Sequence, residues 1–152
     1  MGALLVRSNE VIRVDKTLGF LAWHPSGQML AFSANQLSQF FHTTGETRDL
    51  FDAGSDLGTF RLDSNLISMP GPIATADHNE TWPTWAPDGG WLYYCSAPKV
   101  PLADHRQVRY DILRVSYNRA TDQWGEPQTV VSSARTGSSA TLPRAIRSAA
   151  GQ

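Results

Sequence analysis

The chain has 152 residues, the size of one ordinary domain, and its 41% content of hydrophobic residues is enough for a packed core. Its 13 basic and 14 acidic residues give a net charge of -1, which excludes the strongly basic surface expected of a protein that binds nucleic acid or anionic lipid. A single cysteine excludes an internal disulfide and a thiolate metal cage, and no apolar run approaches the ~18 residues of a membrane-spanning helix.

The first 17 residues are predicted to contain a strand or the end of a preceding repeat unit. The Met-Gly start is that of a myristoylation signal, but Val6 occupies the position that requires Ser or Thr. The apolar stretch Ala3–Val6 is too short for the core of a signal peptide. These residues predict either a cytoplasmic chain or one whose natural start lies further upstream.

An internal repeat is visible further along the chain. The segment Trp23–Ala34 aligns with Trp85–Ser96 at a constant offset of 62 residues, and the Trp, Pro and Gly of the two segments are identical. Phe20 aligns with Trp82 at the same offset. Each segment places an aromatic strand before a turn and a β-rich strand after it, so each copy predicts a β-hairpin.

The turn of each hairpin has a definite residue chemistry. Proline presets φ for the second position of a tight turn, Ser or Asp suits the third, and glycine takes the left-handed conformation that closes the loop. We therefore expect positive φ at both glycines. The turn residues are Pro25 and Gly27 in the first copy and Pro87, Asp88 and Gly89 in the second.

Two further strands follow each hairpin. Leu57–Asp63 and Ile112–Asn118 alternate in the same phase, which predicts a third strand in each copy. A polar turn then leads to a short fourth strand, Leu66–Ser68 or Gln128–Val131. Nine prolines and twelve glycines interrupt any helical stripe, so the chain is predicted to be all-β with four antiparallel strands per copy.

Four-stranded units repeated along a chain are typical of β-propeller blades. The stretch Trp85–Tyr94 resembles the Pro-Asp-Gly repeat of TolB-like bacterial β-propellers, and Trp23–Phe32 resembles it with Ser26 in place of the usual Asp. The wider stretch 39–57 resembles a group of exported bacterial propeller proteins. The resemblance implies a partial β-propeller of about two to three four-stranded antiparallel blades, a piece of a larger propeller.

The blade boundaries follow from this resemblance. Residues 1–17 end a preceding blade or form an N-terminal strand, residues 18–69 form blade one with a long loop over 35–55, residues 70–131 form blade two, and residues 132–152 begin an incomplete third blade or form a disordered tail. Thr141–Arg144 resembles Thr81–Thr84, but no further Pro-Asp-Gly turn follows, which indicates divergence or a truncated or frame-shifted end. Open blade edges of this kind predict self-association.

The resemblance also implies a periplasmic or exported location and a non-catalytic role, in which loops at the blade ends bind a protein or a small ligand. Two alternatives stay open. One is the propeller part of a larger prolyl-oligopeptidase-like hydrolase, although Gly-x-Ser-x-Gly is absent from this sequence. The other is carbohydrate recognition by an aromatic cluster, for which packing between sheets is the expected alternative role. The cluster comprises Trp82, Trp85, Trp91, Tyr93 and Tyr94.

The largest departure from a minimal blade is the loop Asn35–Ser55, matched by Ala97–Arg109 in the second copy. Loops of this length are often functional, and the alternative is that this loop covers an exposed sheet edge or caps the next blade. An ion pair of Arg48 with Asp52 or Asp56 is expected to order it. The predicted binding residues are His42, Arg48, Asp52 and Asp56.

The remaining reactive residues indicate no metal, cofactor or catalytic centre. Cys95 lies in a predicted buried strand, so an inert thiol is expected. The triplet Asn79–Thr81 matches a glycosylation acceptor, a pattern that is frequent by chance. His24 lies within the turn motif and is expected to hold a hydrogen bond there. None of the four histidines has the spacing of metal ligands on a helix; they are His24, His42, His78 and His105.

Overall fold

Antiparallel pairing of consecutive strands builds almost all of the fold. The computed structural model describes the backbone of residues 3–7, 10–14, 17–35, 42–44, 47–49, 54–141 and 143–144, and the side chains of residues 18–35, 54–101, 103–104, 106–141 and 143–144. Two hairpins and two larger sheets are present in these residues. The predicted all-β class is therefore confirmed.

The strands fall into four groups. The first hairpin pairs β1 (Ala3–Arg7) with β2 (Glu10–Val14). The first sheet has the order β3 (Thr17–Trp23), β4 (Met29–Asn35), β7 (Ser55–Arg61), β8 (Leu66–Ser68), and the connection from β4 to β7 contains the hairpin of β5 (His42–Thr44) and β6 (Thr47–Asp49). The second sheet contains β9 (His78–Trp85), β10 (Trp91–Pro98) and β11 (Asp111–Asn118), with both β12 (Gln123–Trp124) and β13 (Gln128–Val131) paired to β11.

Helical structure in the described residues is limited to three short segments. Two are 3-10 helices, at Gly71–Ile73 and Leu102–Gln107. The third is the four-residue α-helix Ser133–Thr136. None of these helices is long and apolar enough to cross a membrane. This agrees with the expectation of hardly any helix.

The two hairpin turns are the same structure. Gly27 N donates to His24 O at 2.8 Å, and Gly89 N donates to Ala86 O at 2.9 Å, which is the bond of a four-residue β-turn. The glycine φ angles are 69° at Gly27 and 75° at Gly89. The predicted left-handed glycine in each turn is confirmed.

The third strands also align as the sequence predicts. Leu30 pairs with Phe60 in the first sheet, and Leu92 pairs with Val115 in the second. Because the side chains of paired residues project from the same face of a sheet, the matched register gives the two sheets matched faces. The fourth strands, β8 and β13, have the predicted boundaries. The second sheet also contains a fifth strand, β12, that the sequence did not predict, and its first two strands are longer than predicted.

The first strand of each sheet, β3 or β9, carries a β-bulge at the same place in the repeat. The register shifts between Gly19 and Ala22 in β3, and β9 is irregular opposite Tyr93–Cys95. Phe20 and Trp82 lie within these bulges and have positive φ values of 49° and 53°, which are unusual for aromatic residues. Their rings meet edge to face, with centroids 5.6 Å apart. The bulge in β3 thereby brings Phe20 against the second sheet, where Trp82 is buried with Cys95, Ala97 and Tyr110.

The main core lies between the two sheets. It is built from opposite faces of the repeat, because Leu92 lies in this core while its counterpart Leu30 lies on the other side of the first sheet. Strands β4 and β7 of the first sheet meet β9, β10 and β11 of the second, and Ile73 from the connecting 3-10 helix completes the core. A second cluster covers the opposite face of the first sheet and includes Leu30, Phe32 and Phe60. The residues of the main core are Met29, Ala31, Leu57, Ile73, Trp85, Leu92, Tyr94, Val115 and Tyr117.

His24 joins the two turns. Its Nδ1 accepts the Ser26 backbone N–H at 3.1 Å and lies 2.8 Å from Ser26 Oγ, while Nε2 lies 3.1 Å from Gly89 O. This pattern assigns the proton of a neutral ring to Nε2, which donates to Gly89. Burial lowers the pKa of His24 below its ordinary value, the bond to Gly89 opposes the shift, and the charge of Arg119 adds to it. The expected hydrogen-bonding role of His24 is confirmed, and it extends across the sheets.

Alanine substitutions at the two turn glycines should separate backbone strain from the contact with His24. Each places a side chain at positive φ, which costs about 1 kcal/mol. A Cβ at Gly27 meets no atom within 4 Å, whereas a Cβ at Gly89 falls far inside van der Waals contact with the His24 ring. Urea denaturation should therefore show a larger loss of unfolding free energy for Gly89→Ala than for Gly27→Ala. Equal losses would mean that His24 does not constrain the second turn.

Stability should also depend on the protonation of His24. Because its folded-state pKa lies below the ordinary 6.5, the unfolded chain takes up a proton first as the pH falls. The stabilisation is fully present above pH 6.5 and is lost as the pH falls from there through the folded-state pKa. Urea midpoints measured between pH 7.5 and 5 should fall more steeply for the wild type than for His24→Gln, which keeps a donor but does not titrate. Parallel profiles would contradict this role.

Candidate functional site

The longer connections of both sheets meet at one end of the structure. We call it the loop end: it contains the β4–β7 connection, the β10–β11 connection and residues 69–77, which join the two sheets. The opposite end, which carries the two Pro-x-Gly turns, is the turn end. The antiparallel pairing of β4 with β7 and of β10 with β11 separates the two ends. In each pair, the end of the first strand lies beside the start of the second at the loop end.

The predicted binding residues belong to the loop end. His42 begins β5 and Arg48 is in β6, and the backbone register pairs His42 with Asp49. The long loop thus contains a hairpin, but the side chains of His42 and Arg48, and all of Asp52, lie outside the described residues. Asp56 is the second residue of β7 and is described in full.

Asp56 forms an ion pair across the two sheets. Its Oδ1 accepts a hydrogen bond from Lys99 Nζ at 3.2 Å, and the same ammonium group donates to Thr75 O at 3.0 Å. Lys99 follows directly after β10, so this one side chain connects both sheets and the segment between them. The pairing of Asp56 with Arg48 that the sequence suggested stays untested, since the Arg48 side chain is outside the described part.

Glu80 is a buried carboxylate beside this ion pair. It is 2% exposed, and it accepts hydrogen bonds from the backbone N–H and the hydroxyl of Thr75. Burial raises the pKa of Glu80 above its usual range; the bonds from Thr75 oppose this, the charge of Asp56 adds to it, and the charge of Lys99 opposes it. Burial, followed by the charge of Glu80, raises the pKa of the nearby Tyr94 hydroxyl as well. A buried carboxylate with a raised pKa is a feature of functional sites, and it also anchors residues 70–77 here.

A cleft of about 600 Å³ opens at the loop end of the second sheet. The walls mix short apolar side chains, such as Val108 and Pro98, with groups of both charges. Arg109 and Asp104 are exposed at its rim, and Asp111 is held in place by accepting the Ser133 N–H at 2.7 Å. The polar lining residues are His78, Ser96, Asp104, Gln107, Arg109, Asp111, Thr129 and Ser133. We call this the loop-end cleft.

His78 and Asp77 form a hydrogen-bonded pair at the edge of the cleft. The His78 Nδ1 lies 3.0 Å from Asp77 Oδ1, and both side chains are well exposed. The hydrogen bond from His78 is the main cause that lowers the pKa of Asp77. Groups this exposed interact weakly with each other, so both remain accessible to an incoming ligand.

The residues considered for thiol chemistry and for glycosylation are buried and have structural contacts. Cys95 is fully buried, and its thiol donates weakly to Ala140 O at 3.6 Å. Asn79 is 1% exposed and accepts the Gly54 N–H at 3.0 Å, so the glycosylation triplet is inaccessible in the folded chain. Among the described residues, no group of three or more His, Cys, Asp and Glu side chains could hold a metal ion.

The aromatic cluster divides between the two faces of the second sheet. Trp85 and Tyr94 are buried in the core between the sheets, as packing between sheets predicts, and Trp82 is buried in a separate cluster with Cys95, Ala97 and Tyr110. Trp91 and Tyr93 lie on the face turned away from the first sheet, and the Arg114 guanidinium covers the Trp91 ring at 4.3 Å. Three of the five rings are therefore unavailable as a stacking platform for a sugar.

Sequence reasoning missed Lys99 and the pairing of Glu80 with Thr75. The position of Lys99 was the available signal. Lys99 directly follows the second strand of copy two, and Asp56 lies near the start of the third strand of copy one. Both positions are at the loop end, so the two side chains could have been expected to lie at the same end of the structure. Thr75, the partner of Glu80, lies in the connection between the two sheets, where the sequence shows no motif. Comparison with family models and with curated proteins finds no match.

The raised pKa of Glu80 predicts the effect of removing its charge. The fold favours the protonated form, so the stabilisation from Glu80 is present below its ordinary pKa of about 4.5 and is lost as the pH rises through the folded-state value. A glutamine keeps an acceptor for the Thr75 N–H and adds a donor for the hydroxyl. Glu80→Gln should therefore gain stability relative to the wild type as the pH rises above 4.5.

Thermal melts between pH 4 and 8 would measure this difference. Glu126→Gln, at an exposed glutamate of the second sheet's last turn, controls for the loss of one negative charge. If Glu80→Gln is instead less stable than the wild type at pH 7, the ionised carboxylate makes a net favourable contribution.

Proposed function

We propose that this chain is a non-catalytic binding module of β-propeller type, and that it binds an extended peptide segment of a protein partner in the loop-end cleft. The observation that carries the proposal is the cleft at the loop end of the second sheet, which the β10–β11 connection and the adjoining strand ends line and which exposes both charges at its rim. Rigid sheets that hold variable loops are a common arrangement for recognition.

The chemistry of the cleft favours a peptide over a small anion or a sugar. An extended peptide presents backbone N–H and C=O groups together with side chains, and the cleft offers donors at Arg109 and Gln107, acceptors at Asp104 and Asp111, and apolar walls. A small anion would meet the carboxylates of two aspartates. A sugar would require an accessible aromatic face, which the cleft lining lacks.

Two features support the propeller form of the proposal. The repeated four-strand pattern has matched turns, bulges and registers in both sheets, and the two sheets pack face to face. Stacked sheets of this kind are the unit from which a propeller is built. Membership of a TolB-like group, with an exported location, is part of the same proposal and derives from the Pro-Asp-Gly repeat.

Selection from a phage-displayed library of random peptides would test the binding site. A synthetic copy of an enriched peptide should bind the wild-type chain, and Arg109→Gln should weaken the affinity about tenfold, the loss expected when one charged hydrogen bond is removed. Arg119→Gln removes an equally exposed arginine at the turn end and should leave the affinity unchanged.

Two outcomes would contradict the proposed site. One is that no peptide is enriched over a column without protein. The other is that enriched peptides lose affinity with Arg119→Gln but not with Arg109→Gln, which would move binding to the turn end. Glycan-array binding that disappears with Trp91→Ala would favour the carbohydrate alternative instead.

A further inference from the structure

We propose that the peptide of the proposed function, on which this inference rests, carries a lysine or arginine side chain whose positive charge binds between Asp111 and Ser96. Both residues line the loop-end cleft. They lie opposite each other where β11 pairs with β10. Their side chains therefore project from the same face of the second sheet, next to each other.

The Asp111 carboxylate is fixed in place and only partly satisfied. Its Oδ1 accepts the Ser133 backbone N–H at 2.7 Å, and the side chain is half-buried. Among the described residues, no other hydrogen bond or ion pair reaches this carboxylate. Oδ2 thus keeps its full capacity to accept. A carboxylate that has lost part of its water is best stabilised by a cation that also donates hydrogen bonds to it.

The Ser96 hydroxyl is the second available group at this point. Ser96 is only 6% exposed, and its hydroxyl has no hydrogen-bond partner in the described part of the chain. It lines the cleft, so a ligand can reach it. Hydroxyls this deeply placed are normally hydrogen-bonded, and an unpartnered one that faces a cleft marks a place where a ligand group supplies the missing bond.

The two groups together select a positively charged donor. The carboxylate repels an anion, while both oxygens can accept hydrogen bonds, and the Cβ atoms of a directly opposed pair are about 4.5–5.5 Å apart. A lysine ammonium or an arginine guanidinium carries several N–H groups and can donate to both oxygens at once. The apolar lining residues Val108 and Leu113 suit the methylene stem of such a side chain.

The arginine of the cleft lining leaves this position open. Arg109 Nη1 donates to Arg106 O and to Val108 O, both at 2.9 Å, which holds the guanidinium against its own connection. Its other N–H groups remain for the peptide backbone. Asp104 adds a second exposed carboxylate at the rim, so the lining has two carboxylates and one guanidinium. This balance attracts a positively charged segment as it approaches.

The peptides enriched by phage display test the inference. They should share a lysine or arginine at one aligned position. A synthetic copy with norleucine at that position keeps an apolar stem without the charge, and it should bind the wild type about tenfold more weakly in isothermal titration calorimetry. Asp111→Asn keeps an acceptor for the Ser133 N–H but has no charge, so the same replacement should change its affinity by less than about twofold.

Two further variants make the assignment specific. Ser96→Ala removes the second acceptor and should weaken binding of the original peptide about fivefold, with little effect on the norleucine peptide. Asp88→Asn is the matched control, because Asp88 is an exposed aspartate at the turn end whose Oδ1 also accepts one backbone N–H, from Gly90 at 2.9 Å. It should bind both peptides as the wild type does.

The possible failures distinguish this inference from the proposed function. Enriched peptides without a shared basic position would overturn the inference and leave peptide binding in the cleft intact. An equal loss on norleucine replacement in the wild type and in Asp111→Asn would do the same. A selection that enriches no peptide at all would contradict the proposed function, and the inference with it.

Discussion

The packing of one sheet against the other is the contact on which the rest of this structure depends. A single antiparallel sheet with one apolar face has nowhere to bury it, and here each sheet provides the missing layer for the other. Trp85, Leu92 and Tyr94 are almost fully removed from water in this way. Burial of a large apolar side chain contributes about 1.5–3 kcal/mol, so a few such residues account for a large part of the stability of a domain.

Polar contacts at both ends fix the relative position of the sheets. At the turn end, the His24 ring donates to Gly89 O, and at the loop end Lys99 joins Asp56 and Thr75. Near the bulges between them, the Ser33 and Thr81 hydroxyls lie 3.2 Å apart. Apolar packing is not directional, whereas hydrogen bonds are, so these contacts select one alignment from the many that would bury similar area.

Local chemistry explains why so much of the fold could be predicted from the sequence. Pro25 and Gly27, and their counterparts Pro87 and Gly89, dictate their turns through φ preferences that need no distant partner. Alternation of apolar residues then gives the third strands and their register. The hairpin of β5 and β6 inside the long loop was not predicted as strands, because its short polar segments show no alternation of this kind.

The site was less predictable because its contacts join segments that are distant in sequence. Asp56 was selected as a candidate, but its partner Lys99 comes from the other sheet, and the two meet only after the sheets have packed. His24 was expected to bond within its own turn, and the bond to Gly89 depends on the neighbouring turn lying directly beside it. Nothing in the sequence around Glu80 indicated its partner Thr75. In each case, the relative placement of two sheets supplied the information that a single segment lacks.

Native-state hydrogen exchange would test most directly whether the two sheets form one cooperative unit. Leu57 is fully buried in the core between them, and Leu57→Ala should remove about 2–5 kcal/mol of stability from whatever unit it belongs to. The predicted result is an equal loss of protection at the amides of Phe32 in β4 and of Tyr94 in β10. A loss confined to the first sheet, with unchanged protection in β10, would show that the sheets unfold independently and would contradict the central claim.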